Sequence, residues 1–140
     1  MQNKPRNSMQ KATVMLIEDA KDLAVLYERF LAGFGVNILR VESGKKALEI
    51  LHSQKPDLLI MDLSLKDIPT VDFYEQFKAI PEIQNVPLIL ISGRDDLNSW
   101  APLFGAKEAF KKPVERERVL QALQTYLVPE SGEVLPQEIV

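Results

Sequence analysis

Four short apolar runs in this chain each end in a side chain able to handle a phosphate or a metal ion. Val14-Met15-Leu16-Ile17 runs into Glu18-Asp19, Leu58-Leu59-Ile60-Met61 into Asp62, and Leu88-Ile89-Leu90-Ile91 into Ser92, while a weaker Ala109-Phe110 stretch reaches Lys112-Pro113. Runs this short, set between turn signals, are too brief for buried helices and suit strands covered on both faces, as in a parallel sheet. Right-handed crossovers then put helices on both sides. The carboxyl ends of parallel strands lie along one edge, and ligands bind in the crevice outside that edge. Three carboxylates, a hydroxyl and an ammonium, spread from residue 18 to residue 112, are therefore predicted to converge.

Between the runs lie amphipathic segments. Asp19 or Asp22 is predicted to cap a helix through about Ala32, with Leu23, Leu26, Tyr27, Phe30 and Leu31 on its inner face and Gly33 as its stop. Val36 to Val41 reads as a second strand, and Ser43-Gly44 leads into a helix burying Ala47, Leu48 and Leu51. After Asp62 comes an irregular stretch, Ser64 to Thr70, then a helix from about Val71 to Ile80 burying Phe73, Phe77 and Ile80. A fourth helix, about Asp95 to Phe104, contains Pro102 and is predicted to be short or irregular. Gly105-Ala106 turns into the fifth strand, and a last helix follows Pro113 with Val119, Leu120, Leu123 and Leu127 inward. The expectation is an α/β fold, a strand-helix unit repeated five times over residues 11–127, with 1–10 as a flexible leader and 128–140 as a flexible tail.

Composition narrows the chemistry. A chain of 140 residues fits one domain. There is no cysteine and only His52, which rules out thiolate sites and histidine clusters, so a metal would have to be bound by oxygen. His52 falls late in a helix, where a solvated, helix-end role is expected. The net charge of -3 offers no general attraction for nucleic acid, and Lys111, Lys112, Arg116 and Arg118 are too few to change that. No apolar stretch is long enough for a membrane span or a secretory signal, so a cytoplasmic protein is expected.

Magnesium prefers oxygen ligands and is usually held by one or two carboxylates plus phosphate oxygens and water. Glu18, Asp19 and Asp62 at neighbouring strand ends meet that need, and without a cation they would repel one another. An aspartate can also attack a phosphoryl donor to give an acyl phosphate, with Lys112 and Ser92 placed to bind the phosphoryl oxygens.

With these residues in hand, the chain resembles the receiver domains of two-component response regulators. The resemblance runs from about Thr13 to Leu127 and rests on Ile17-Glu18-Asp19, Leu59-Ile60-Met61-Asp62-Leu63, Ile91-Ser92-Gly93 and Gly105-Ala106 through Lys112-Pro113. It implies a doubly wound, flavodoxin-like sheet in the order 2-1-3-4-5. It implies Asp62 as phosphoacceptor, Asp19 as a direct Mg2+ ligand, Glu18 as a ligand through water, and the Ser64 backbone carbonyl as a further metal contact. Ser92 and Lys112 would contact the phosphoryl group. The implied donor is a histidine kinase or histidine phosphotransfer protein, and the implied output is a downstream protein bound at the face of the fourth helix, fifth strand and fifth helix.

Three positions depart from the family pattern. Lys66 stands where a proline is usual, and Thr70 where a glycine usually opens the third helix, so a glycine-like positive φ there would strain threonine. Ala109 stands where a tyrosine or phenylalanine usually moves with the serine or threonine. Phe110 is next door but is predicted to face the opposite side of the sheet, leaving readout to Ser92 and the loop Gly93 to Asp96. Arg94 either covers the phosphoryl site or is solvated; Trp100 and Phe104 are either core or an exposed anchor.

Three functions remain open on sequence grounds. One is a phosphorylatable signalling module, either a stand-alone receiver or one cut from a longer chain, monomeric or weakly dimeric. Another is a scaffold that keeps the fold without phosphorylation control, as Lys66, Thr70 and Ala109 suggest. The third is a turnover phosphatase, but such enzymes place a second aspartate two residues after the nucleophile, where this chain has Ser64.

Overall fold

The computed structural model of the chain describes residues 11–127, so the expected leader and tail lie outside the described residues. Strands β1 (Thr13–Ile17), β2 (Asn37–Val41), β3 (Leu58–Asp62), β4 (Leu88–Ser92) and β5 (Glu108–Lys111) alternate with helices α1 (Lys21–Ala32), α2 (Gly44–Leu51), α3 (Thr70–Lys78), α4 (Leu97–Phe104) and α5 (Arg116–Tyr126). The strands pair in parallel in the order β2-β1-β3-β4-β5, as expected.

Alternation along each strand divides the interior into two cores. Met15, Ile17, Leu59, Met61, Leu88 and Leu90 pack with residues of α2, α3 and α4. Val14, Leu16, Leu58, Ile60, Ile89 and Ile91 pack with residues of α1 and α5. Every residue of β3 and β4 is buried, which explains their unbroken apolar spelling. Register then aligns the strand ends, with Ile17 opposite Met61, Asp62 opposite Ile91 and Ser92 opposite Lys111.

Several local expectations need correction. Neither Asp19 nor Asp22 caps α1; Ala20 occupies the cap position, because the Asp19 carboxylate instead accepts the Lys66 amide at 2.8 Å. Leu26 is 40% exposed, since the stripe that meets the sheet is Ala24, Tyr27 and Leu31, and Leu26 lies on the far side of the helix. Gly33 does end α1, as expected, in a right-handed conformation, with the positive φ at Gly35. Helix α3 ends at Lys78, so Ile80 is buried in the connection to a 3-10 turn at Pro81–Ile83. Thr70 carries no strain: it opens α3, and no non-glycine residue among those described has a positive φ. In α5 the second buried position is Ala122 rather than Leu120, which is only partly buried, and Leu127 is buried just past the helix end.

Other expectations hold. Helix α4 has eight residues and closes at Gly105, whose φ of 71° suits glycine. His52 is exposed at the C-terminal cap of α2.

The β3-α3 loop is fixed by a contact the sequence did not announce. Asp67 accepts the Gly44 amide at 2.9 Å, the Lys45 amide at 2.9 Å and the Ser43 hydroxyl at 2.7 Å, so it satisfies donors that the start of α2 cannot satisfy itself. A side chain at Gly44 would place its Cβ 2.6 Å from Ile68 Cγ2, so glycine is required for loop and helix to approach this closely. Partial burial works against the Asp67 charge, but the bonds from Lys45, Ser43 and Gly44 outweigh it and hold the carboxyl below its ordinary value. A carboxyl lowered in the folded state adds stability above its unfolded pKa and loses it as pH falls through the folded one. Asp67→Asn is therefore expected to reduce stability by about 1 kcal/mol at neutral pH. The gap to the wild type should close in acid, as read from denaturant midpoints across a pH series.

Candidate functional site

The carboxyl edge of the sheet gathers the residues singled out in the sequence. Glu18 and Asp19 follow β1, Asp62 ends β3, Ser92 ends β4, and Lys112 follows β5. Among the described residues, Glu18, Asp62 and Ser92 are the buried polar side chains, at 1%, 5% and 0% exposure, so their presence in the interior needs a physical account. Lys112 supplies part of it. Its Nζ donates to Asp62 Oδ2 at 3.0 Å and lies 3.5 Å from Glu18 Oε1. The Lys112 amide donates to the Ser92 carbonyl at 3.0 Å, which fixes the lysine beside the end of β4.

Glu18, Asp19 and Asp62 each present a carboxylate oxygen, and these oxygens lie within 4.8 Å of one another. Burial, with the Asp62 charge adding to it, pushes the Glu18 carboxyl up, while bonds from the Ala20 amide and Lys112 pull the other way. Burial also opposes the Lys112 charge, but its bond to Asp62 and the charges of Asp62 and Glu18 prevail and push the ammonium up. With all groups ionised, three carboxylates and one ammonium leave two negative charges uncompensated, the charge of one divalent cation. The donors are hard oxygens, so the residues present fit Mg2+.

The loop after β3 holds this set. The Ser64 amide donates to Asp62 Oδ1 at 2.9 Å, and the Lys66 amide to Asp19 at 2.8 Å, so the segment after β3 is bonded to two of the three acids. Lys66, in place of the usual proline, therefore contributes a backbone donor that proline lacks. Arg94, whose role the sequence left open, is half-buried and bonded within the loops rather than freely solvated. Its guanidinium bonds Asp96 and Thr70, while Trp100 donates to the same Asp96 carboxylate at 3.2 Å. The Arg94 bond, working against slight desolvation, holds the Asp96 carboxyl below its ordinary value. Asp96 and Asp67 were missed because only the loop conformation brings them to their partners; an acid just ahead of a helix was the available hint for Asp96.

Phe110 is buried in the core on the α1-α5 side, with the Arg118 guanidinium 4.9 Å from its ring centroid. Ala109 faces the α4 side. No ring thus stands at position 109, and a groove of about 500 Å³ opens there, lined by Leu97, Asn98, Ala109, Lys111, Pro113 and Arg118 among others. Phe104 is core, packed at tilted and edge-on angles among Phe73, Phe77 and Tyr74, whereas Trp100 is half-buried against Tyr74 and Phe104. The Lys112-Pro113 peptide is cis.

Comparison with known proteins agrees with this geometry. The family model described as the response regulator receiver domain matches residues 14–124. The chain belongs to that family. It is 29% identical over 106 residues to luminescence regulatory protein LuxO of Vibrio campbellii, covering 74% of this chain and 23% of LuxO, so it spans about a quarter of that relative's length. It is 22% identical over 119 residues to sporulation initiation phosphotransferase F of Bacillus subtilis, covering 85% of this chain and 96% of the relative. Among solved structures, the receiver domain of sensor histidine kinase PA1611 from Pseudomonas aeruginosa PAO1 superposes with a TM-score of 0.73 at 21% identity. That match covers 84% of this chain and 98% of the other, which is described with a magnesium ion in its active-site cleft. No helix among the described residues of this receiver is long and apolar enough to cross a membrane.

Removing the ammonium of this receiver strands two buried carboxylates. Lys112→Ala is expected to lower the unfolding free energy by about 1–3 kcal/mol in metal-free buffer. Millimolar Mg2+ should recover part of the loss. Denaturant midpoints measured with and without the ion check both statements.

Proposed function

We propose that the chain is a phosphoacceptor signalling module of a two-component or phosphorelay system. In this reading Asp62 takes a phosphoryl group from the phosphohistidine of a histidine kinase or histidine phosphotransfer protein. The observation that carries it is the approach of Lys112 to 3.0 Å from Asp62, within a cluster of three acids that a single ammonium does not neutralise. Charges packed at a strand edge at such expense favour a functional use.

Asp62 Oδ1 is held by the Ser64 amide and Oδ2 by Lys112, so the carboxylate is oriented before a donor arrives. One carboxylate oxygen attacks phosphorus as the bond from phosphorus to the donor imidazole nitrogen breaks, and the electron pair of that bond leaves on the nitrogen. Lys112 then offsets charge on the phosphoryl oxygens, and the Ser92 hydroxyl donates to one of them. Asp19, Asp62 and the Ser64 carbonyl would hold Mg2+, with Glu18 acting through water. When bound, the ion would screen the carboxylates from the incoming phosphoryl group and neutralise charge that develops on its oxygens. The chain's own part is to supply the nucleophile, the ammonium and the rigid loop.

Output follows if a downstream protein has different affinities for the bare and phosphorylated conformations. The α4-β5-α5 face, with its groove beside Ala109, is the proposed docking surface. The receiver would act in the cytoplasm, as a monomer or weak dimer, and turn over no substrate beyond its own acyl phosphate. A second reading, a scaffold that works without phosphorylation, is favoured by one observation: Phe110 faces away from the position where the family's aromatic residue moves.

Incubation with Mg2+ and phosphoramidate, followed by intact-mass analysis, separates the two. The expected result is a gain of one HPO3 unit that requires Mg2+ and is absent in Asp62→Asn. A folded, Mg2+-binding protein that gains no such mass from phosphoramidate or from a phosphorylated histidine donor would sink the reading and leave the scaffold.

A further inference from the structure

Arg94 bonds to several groups around the site at once. Its amide donates to Ser92 Oγ at 3.1 Å. Its guanidinium forks onto Asp96, with Nε 2.9 Å from Oδ1 and one terminal nitrogen 2.6 Å from Oδ2. The other terminal nitrogen donates to Thr70 Oγ1 at 2.7 Å and lies 3.5 Å from the carbonyl of Leu63, the residue after Asp62. Asp96 Oδ2 also accepts the indole N–H of Trp100 at 3.2 Å. The Trp100 ring in turn meets Tyr74 of α3 at 5.6 Å and Phe104 of α4 at 5.9 Å between centroids. A continuous set of contacts therefore runs from the neighbour of Asp62 to the α3-α4 aromatic cluster through one guanidinium. It uses Thr70, and it lies beside the position where Ala109 leaves no ring to move.

We propose that Arg94 is the coupling residue of this receiver: it bonds Asp96 while Asp62 is bare and moves onto the phosphoryl group once Asp62 carries one, leaving the Asp96 carboxylate that holds the Trp100 indole without its cation. The inference rests on the phosphorylation of Asp62 proposed above. Two physical facts favour the exchange. A phosphoryl group carries more charge than a carboxylate and offers three strong acceptor oxygens to the guanidinium fork. The resting partner is weakly held by comparison, because the side chains of Arg94 and Asp96 are 35% and 43% exposed and water screens the pair.

Ser92 adds to the effect. When its hydroxyl turns to donate to a phosphoryl oxygen, its Oγ is drawn from the Arg94 amide, so one event loosens both the backbone and the side-chain anchor of Arg94. Helix α4 then loses the anchor that Arg94 gives to Asp96, its N-terminal cap residue. A partner that reads the α4-β5-α5 face meets a different surface in the two states, with no aromatic side chain moving at position 109.

Trp100 is the only tryptophan in the chain, so its emission reports this contact without labelling. The full chain is treated with Mg2+ and phosphoramidate, and emission and intact mass are read from the same samples. In the wild type, emission is expected to shift in proportion to the phosphorylated fraction. In Arg94→Ala the shift per phosphorylated fraction should fall severalfold, and the resting emission should already resemble that of the phosphorylated wild type. Arg94→Lys, which keeps the charge without the fork, and Asp96→Asn, which weakens the resting pair, should both diminish the shift; they carry the test if circular dichroism shows Arg94→Ala unfolded. A phosphorylated wild type with unchanged Trp100 emission overturns the coupling and leaves the phosphoacceptor reading intact. So does a full wild-type shift in the folded Arg94 and Asp96 variants. A folded wild type that forms no adduct overturns the phosphoacceptor reading and the coupling with it.

Discussion

The ammonium of Lys112, 3.0 Å from Asp62 and 3.5 Å from Glu18, is the interaction on which the carboxyl edge depends. At an effective dielectric of about 20, two unit charges 3.0 Å apart attract by ~5.5 kcal/mol, and two like charges within 4.8 Å of each other repel by ~3 kcal/mol or more. One ammonium therefore offsets the repulsion between Glu18 and Asp62 but leaves Asp19 to be balanced by solvent or by a further cation. The parallel sheet explains why these groups meet at all. Buried β3 and β4 deliver Asp62 and Ser92 to the same edge, and the order β2-β1-β3-β4-β5 sets β1 and β4 on either side of β3.

Around that centre, two carboxylates outside the acidic cluster shape the loops. Asp67 joins the β3-α3 loop to the start of α2, and Asp96 joins Arg94, within the β4-α4 loop, to Trp100 of α4. Both replace constraints that the chain lacks by family standards. The loop without its usual proline is bonded through the Lys66 amide and Asp67, and the segment without its usual glycine begins a regular helix at Thr70, whose hydroxyl accepts from Arg94. The departures at 66 and 70 are thus both built into the loops, Lys66 through its amide bond to Asp19 and Thr70 through its hydroxyl, which accepts from Arg94.

Much of this was legible in the sequence because burial on both faces writes itself as uninterrupted apolar runs. The strand ends, the convergence of Glu18, Asp19, Asp62, Ser92 and Lys112, and the opposite facing of Ala109 and Phe110 all follow from period-two geometry and one topology. What escaped depends on contacts between loops. Asp67 finds three donors more than twenty residues away at the start of α2, so no periodicity could reveal it. Arg94 and Asp96 are close in sequence, but their link to Thr70 and Trp100 exists only when two loops fold against each other. Leu26 misled because apolar residues nearly encircle α1, while the sheet contacts only one stripe of it.

Calorimetric titration with Mg2+ tests most directly whether the carboxyl edge is a charge-balanced cation and phosphoryl site. The expected result is one site per chain, weakened at least about tenfold in Asp19→Asn, the loss of one charged oxygen ligand. Lys112→Ala should bind the ion no more weakly than the wild type, because it removes a competing positive charge. Absence of binding by the folded wild type, or an affinity unchanged in Asp19→Asn, would contradict it.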